Sequence, residues 1–170
     1  MLEVIKNRRA CRKYDANRPV EKEKIEEIVK AGLLAPSGMG RQTPVIIAIS
    51  DKETRDKLSQ INKLGSDRFA DPFYGAPVVL LVIAHKEGLS LHDGSACIEN
   101  MLLEATNQGL GSCWIHRADE EIKLPECREL LSFTGLNFDD YLGVGHVILG
   151  YSLMEGYPEK VIKEGRVFYK

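Results

Sequence analysis

The chain has 170 residues, 44% of them hydrophobic and 28% charged, with a formal net charge of −2. That balance describes one globular domain over residues 1–170 with a core large enough to fold without disulfide or metal staples, and it excludes a disordered or fibrous chain. The charge gives no overall bias toward nucleic acid, and the longest apolar run, 76–84, is far too short to span a membrane.

In chain order, the first element is a short helix from Leu2 to about Arg9, with Leu2 and Ile5 on one side. Charges occupy the place where a secretory leader would carry its apolar segment, so the expected compartment is the cytoplasm. Arg8, Arg9 and Arg12 gather near the helix end, either as a solvated face or as an anion site, since the planar guanidinium fork suits phosphate. A helix opened by Pro19-Val20-Glu21 runs to about Leu34, with Ile25, Ile28, Val29 and Leu33 on one stripe. The β-branched run 45–49 predicts a central strand covered on both faces. Asp51 is placed to cap a helix carrying Leu58 and Ile61 and ending before Gly65.

Residues 66–75 lack periodicity and contain Phe69, Pro72, Phe73 and Tyr74, as a mobile aromatic loop would. A second buried strand follows at 77–84. The longest helix starts at Ser90 or His92, carries Cys97, Ile98, Met101, Leu102 and Ala105 inward, and stops at Gly109. Its Gly94, Ser95 and Ala96 permit close packing, by another chain or within this one. Strands at 111–115 and 142–149 bracket a helical segment begun by Asp119 or Pro125. Helices alternating with four apolar strands predict an α+β fold with a central mixed sheet flanked by helices. The tail from Gly156 to Tyr169 reads as extended and polar, able to add a strand to a partner subunit. Cys11, Cys97, Cys113 and Cys127 form no Cys-x-x-Cys pair, a pattern of reduced thiols rather than of zinc or a redox dithiol, with Cys97 and Cys127 as core residues.

Three segments stand out from this scaffold. The stretch 35–44 puts Pro36, Gly38 and Gly40 between a helix and a strand, either as a simple turn or as a ligand loop with exposed amides. The basic cluster at 7–14 and the segment Gly109-Leu110-Gly111-Ser112-Cys113-Trp114-Ile115-His116 are the others. Gly143-Val-Gly145-His146 lacks the third glycine and the helix of a dinucleotide fingerprint. His116 and His92 titrate in the range useful for proton donation, although a lone histidine also serves as an ordinary hydrogen-bonded or exposed residue. Trp114 fits either a ligand wall or the core.

Together these segments resemble the FMN-dependent nitroreductase family in its compact form. The likeness is carried by Arg8-Arg9-Ala10-Cys11-Arg12, by the helix ending in Ala35-Pro36-Ser37-Gly38-Met39, by Phe73-Tyr74-Gly75-Ala76-Pro77, by Asn100 to Ala105, by Gly109 to Ile115 and by Leu149-Gly150-Tyr151. The resemblance implies a nitroreductase-like fold, an intertwined homodimer and FMN in clefts at the subunit interface. It implies phosphate and ring contacts from Arg8, Arg9 and Arg12, with backbone from Ala10. It also implies a partner-facing loop of Pro36, Ser37, Gly38, Met39 and Gln42, and a strand end of Cys113, Trp114, Ile115 and His116 near the reactive flavin edge. Arg166 and Asn62 are weaker matches, to a phosphate contact and a ring contact. Gly40 stands where the family commonly has Asn, Thr43-Pro44 replaces a Pro-aromatic pair, and Ala10 lacks a Ser hydroxyl.

The activity implied is hydride transfer from NADH or NADPH through FMN to an electron-poor small molecule, such as a nitroaromatic or a quinone, by a ping-pong route. The cofactor carries that chemistry, so no nucleophilic side chain is required. The competing expectations are an FMN-binding or carrier protein without significant turnover, and a dimeric interaction protein whose arginines meet an acidic partner.

Overall fold

The computed structural model describes residues 2–66 and 68–170. Among the described residues, six helices and four strands follow one another: α1 (Leu2–Asn7), α2 (Lys22–Leu33), β1 (Pro44–Ile49), α3 (Lys52–Asn62), β2 (Val78–His85), α4 (Ser90–Asn107), β3 (Gly111–Ile115), α5 (Ala118–Glu121), α6 (Pro125–Leu130) and β4 (Tyr141–Gly150). Short 3-10 turns lie at Gly38–Gly40, Ser132–Thr134 and Phe138–Asp140.

The sheet order is β1-β2-β4-β3, and all three pairings are antiparallel. The mixed sheet expected from the sequence is therefore realised as an antiparallel one, with a single parallel bridge among the described residues, Ala10 to Ser112, outside the named strands. The run at 45–49 proves to be an edge strand rather than a central one. Val45 and Ile46 are only half-buried and Ala48 is exposed, so the β-branched composition reports strand propensity there, not position in the sheet.

β2 occupies the interior and explains its own sequence. Val78, Leu80, Val82 and Ala84 face a core shared with Ile28 of α2 and Cys97, Ile98 and Met101 of α4. Val79, Leu81 and Ile83 face a second core with Leu58, Phe73, Ile122 and Leu131. A strand buried on both faces must be apolar at every position, and each fully buried Leu, Ile or Val contributes about 1.5–3 kcal/mol.

The helix boundaries follow their sequence signals closely. Asp51 accepts from the backbone N–H groups of Glu53 (3.1 Å) and Thr54 (2.9 Å), as expected of a cap. α4 starts at Ser90, and Gly109 takes a φ of +74° just past its end. Gly94 resolves the question of close packing for its own position, because a Cβ there would stand 2.5 Å from Val144 Cγ2 of β4 in the same chain. Of the two starts expected after β3, Pro125 opens α6, whereas Asp119 falls one residue inside α5. The tail beyond Gly156 forms no helix or strand and is exposed throughout. No helix among the described residues is long and apolar enough to cross a membrane.

Candidate functional site

The β3 strand carries the chain to a cleft of about 190 Å³ on its side of the sheet. Cys113, Trp114, Ile115 and His116 line one wall, joined by Arg12 and by Asn62 at the end of α3. The remaining wall comes from Ser66, Phe69, Pro72 and Tyr74, so the aromatic segment does border the cleft; Asp67 lies outside the described residues. Asp71 shapes this wall. It accepts from the backbone N–H groups of Phe73 (2.9 Å) and Gly75 (2.7 Å) and from Ser59 Oγ (2.6 Å), and pairs with Arg55 at 2.5 Å. Burial works against that carboxylate, but the Arg55 guanidinium and the other donors outweigh it and hold its pKa below the ordinary value.

Trp114 divides its surface between cleft and protein. It is 39% exposed, and a Cβ on Gly145 of the neighbouring β4 would lie 2.2 Å from its Nε1. The glycine motif at 143–145 is thus a packing device. Gly143 similarly meets the backbone of Ala118 and Asp119, and its N–H donates to Asp119 Oδ1 at 3.1 Å.

The arginines divide by partner. Arg8 Nε lies 3.6 Å from Glu99 Oε1, and Arg9 donates to the backbone carbonyls of Lys6 and Arg8. Arg12 is exposed and makes no ion pair among the described residues, which leaves its guanidinium available at the cleft. Ala10 is bridged to Ser112, and the Cys11 N–H donates to the Ser112 carbonyl at 2.8 Å, tying this segment to β3.

A second depression, about 240 Å³, is lined by Pro36, Ser37, Gln42 and Pro44 with Gly32, Leu33 and Ala35. The loop around it is held from α4. Asp93, only 6% exposed, accepts from the Gly38 N–H at 2.9 Å and from Thr43 Oγ1 at 3.1 Å, while the Gln42 N–H donates to Ser37 Oγ at 2.9 Å. Met39 projects outward, and Met39, Gly40 and Gln42 all have positive φ. Glycine and asparagine are the residues that tolerate this region best, so Gly40 suits a backbone that would also accept Asn.

The structure therefore gathers Arg12, Asn62, Cys113, Trp114, Ile115 and His116, and separately gathers Pro36, Ser37, Gly38 and Gln42. The first group lies by edge strand β3 and the second leads into the opposite edge strand, β1. Arg166 lies on the exposed tail, and His92 is exposed on α4 without lining either depression.

Sequence reasoning missed several participants. Lys63 and Arg117 add positive charge to the β3 cleft, with Arg117 Nη1 donating to the Lys63 carbonyl at 2.9 Å. Asp93 was detectable only as an acid in the first turn of a long helix, and nothing local marks Glu121 or His146 as the buried pair they form. Three of the four thiols are poor nucleophiles. Burial pushes Cys97 up to about 11 and Cys127 up to about 12, and it raises Cys113 against the pull of Arg12.

The nitroreductase family model matches residues 5–151. A putative NADH dehydrogenase/NAD(P)H nitroreductase of Archaeoglobus fulgidus is 30% identical, covering 99% of this chain and 89% of the relative. An FMN reductase [NAD(P)H] of Bacillus subtilis is 30% identical over 96% of this chain and 59% of its own length. Among solved structures, a nitroreductase with bound FMN from Bacteroides fragilis superposes with a TM-score of 0.89 at 29% identity, covering 99% of this chain and 97% of that one. An FMN-dependent nitroreductase of Clostridium difficile R20291 has a TM-score of 0.80 at 33% identity, with 99% and 98% covered. With the family pattern matched across nearly the whole fold, the chain belongs to the nitroreductase family.

Proposed function

We propose that this protein is an FMN-dependent oxidoreductase that takes hydride from NADH or NADPH and passes reducing equivalents to an electron-poor small molecule, of which nitroaromatics and quinones are the expected classes. The observation that carries the reading is the β3 cleft itself: a wall of strand end and aromatics beside an arginine, with neither an ion pair to that arginine nor a lining carboxylate among the described residues. The donor set fits FMN. Arg12 supplies charge-assisted hydrogen bonds for a phosphate or the polar ring edge, and Asn62 presents a carbonyl oxygen without a protein donor among the described residues.

The flavin, when bound, supplies the hydride chemistry. The chain's own residues bind and orient it and set its electrostatics. Arg12, Lys63 and Arg117 place fixed positive charge at the cleft, which favours a reduced, anionic cofactor over a neutral one. The rim, with Trp114 and Phe69 exposed and Tyr74 half-buried, offers aromatic faces on which a nicotinamide and then an acceptor stack in turn. His116, exposed at the rim, is the available proton donor to a departing reduced product.

A homodimer completes the site in this reading. The cleft at β3 is smaller than a whole flavin requires, and the Pro36–Gln42 loop lies by the far edge of the sheet, so one ligand reaches both only when the loop comes from a second copy. Arg8, Arg9 and Arg166 are assigned to the phosphate end on the family resemblance. The test is steady-state oxidation of NADH and NADPH by FMN-loaded protein at several acceptor concentrations. Parallel double-reciprocal lines support alternate use of one pocket, intersecting lines contradict it, and flavin binding without turnover favours a carrier.

A further inference from the structure

Behind the β3 cleft lies a buried polar chain whose inner members, Glu121 and His146, no step above uses. Asn62, 3% exposed, donates through Nδ2 to the His116 carbonyl at 3.0 Å and also to Glu121 Oε1. The other oxygen of Glu121 stands 2.9 Å from His146 Nε2, and both residues are 0% exposed. His146 is the one basic side chain beside Glu121 among the described residues, and its ring rests 5.3 Å from that of Phe73. Glu121 Oε2 and both ring nitrogens of His146 have no hydrogen-bond partner among the described residues, so this approach is a close contact without hydrogen-bond geometry.

The orientation of the Asn62 amide follows from this chemistry. Both groups near Nδ2 are pure acceptors, so turning the amide over would set its oxygen against a carbonyl and a carboxylate. Asn62 also lines the cleft, and Oδ1 has no donor among the described residues. Glu121 thus converts an ambivalent amide into a fixed acceptor. Burying a carboxylate is costly unless it is paired and hydrogen-bonded, so the group is held in place by what it orients.

We infer that Glu121 is a positioning residue that fixes Asn62 Oδ1 as the acceptor for the imide N–H of the flavin pyrimidine ring. This rests on the flavin reading above. It assigns the cleft a preference for ligands with an N–H at that edge, and it assigns Glu121 a role exerted entirely through Asn62.

A double-mutant cycle on FMN affinity tests it, read by flavin fluorescence quenching alongside the nitrogen resonance of flavin labelled at the imide position. E121L is expected to weaken binding about tenfold, the equivalent of one net hydrogen bond, and to return the imide resonance toward its free position. E121Q, which keeps an acceptor facing Asn62, is expected to restore both. The E121L change is expected to vanish in an N62A background. Equal losses with and without Asn62, or an imide resonance unmoved in E121L, would overturn the proposal. If E121L fails to fold, the E121L/H146L pair, which removes both buried polar groups, takes its place in the cycle. Failure of the wild-type protein to bind FMN would instead overturn the flavin reading itself.

Discussion

Trp114 rests against Gly145, so closely that a single Cβ on the glycine would approach the indole nitrogen to 2.2 Å. The contact links two neighbouring strands and sets one wall of the cleft. G145A should displace the indole and destabilise the fold by about 1–3 kcal/mol, the usual cost of overpacking. Because the chain has one Trp, its fluorescence reports the displacement directly. An unchanged emission spectrum and unfolding midpoint would show that the ring is not held there.

Arg12 is the one arginine of the N-terminal cluster that lines the cleft, and it makes no ion pair among the described residues. R12A is expected to weaken FMN binding by about tenfold to a hundredfold, the range of one charge-assisted hydrogen bond, with little change in thermal stability because the side chain is exposed. Equilibrium dialysis and a melting curve separate the two effects. A stable variant with undiminished flavin affinity would remove Arg12 from the site.

Asp93 closes the 36–43 loop onto α4 through Gly38 and Thr43. D93A removes two hydrogen bonds to a buried carboxylate and should cost about 2–3 kcal/mol. Proteolysis should then cut within 36–43, a segment expected to resist cleavage in the parent protein. If stability falls but the loop remains resistant, other contacts secure it.

The Asp71 turn carries a pH dependence with a definite sign. Its native pKa is depressed despite burial, so its stabilising effect is fully present above the unfolded value, near ~4, and is lost as pH falls through the native value. Melting temperature should decline on acidification below that range, and D71N should melt lower at neutral pH with a shallower acid decline. Parallel acid profiles for the two proteins would contradict the assignment.

Much of this molecule is legible from its residues. Period-3.6 stripes located α2 and α4, Asp51 marked a helix start, and the unbroken run at 77–84 read as a buried strand, which β2 is on both faces. The same logic misplaced β1. Val45, Ile46 and Ile47 carry the composition of an inner strand at an edge, since β-branched residues favour the pleated backbone wherever it lies. Within the site, the β3 residues and Arg12 were visible as motifs. Asp93, Glu121 and His146 were not, because each acts through a partner far away in sequence: Asp93 is 55 residues from Gly38, and Glu121 is 59 from Asn62. The spacing of His92 from His116 gave no hint that only one of them reaches the cleft.

The most direct measurement is the visible spectrum of FMN-reconstituted protein mixed anaerobically with NADH or NADPH and then with a nitroaromatic or quinone. The oxidoreductase reading predicts one flavin per chain, bleaching of its yellow band by the nicotinamide and recovery of the band on adding acceptor. Protein that binds no flavin, or holds flavin that neither nicotinamide bleaches, would contradict it.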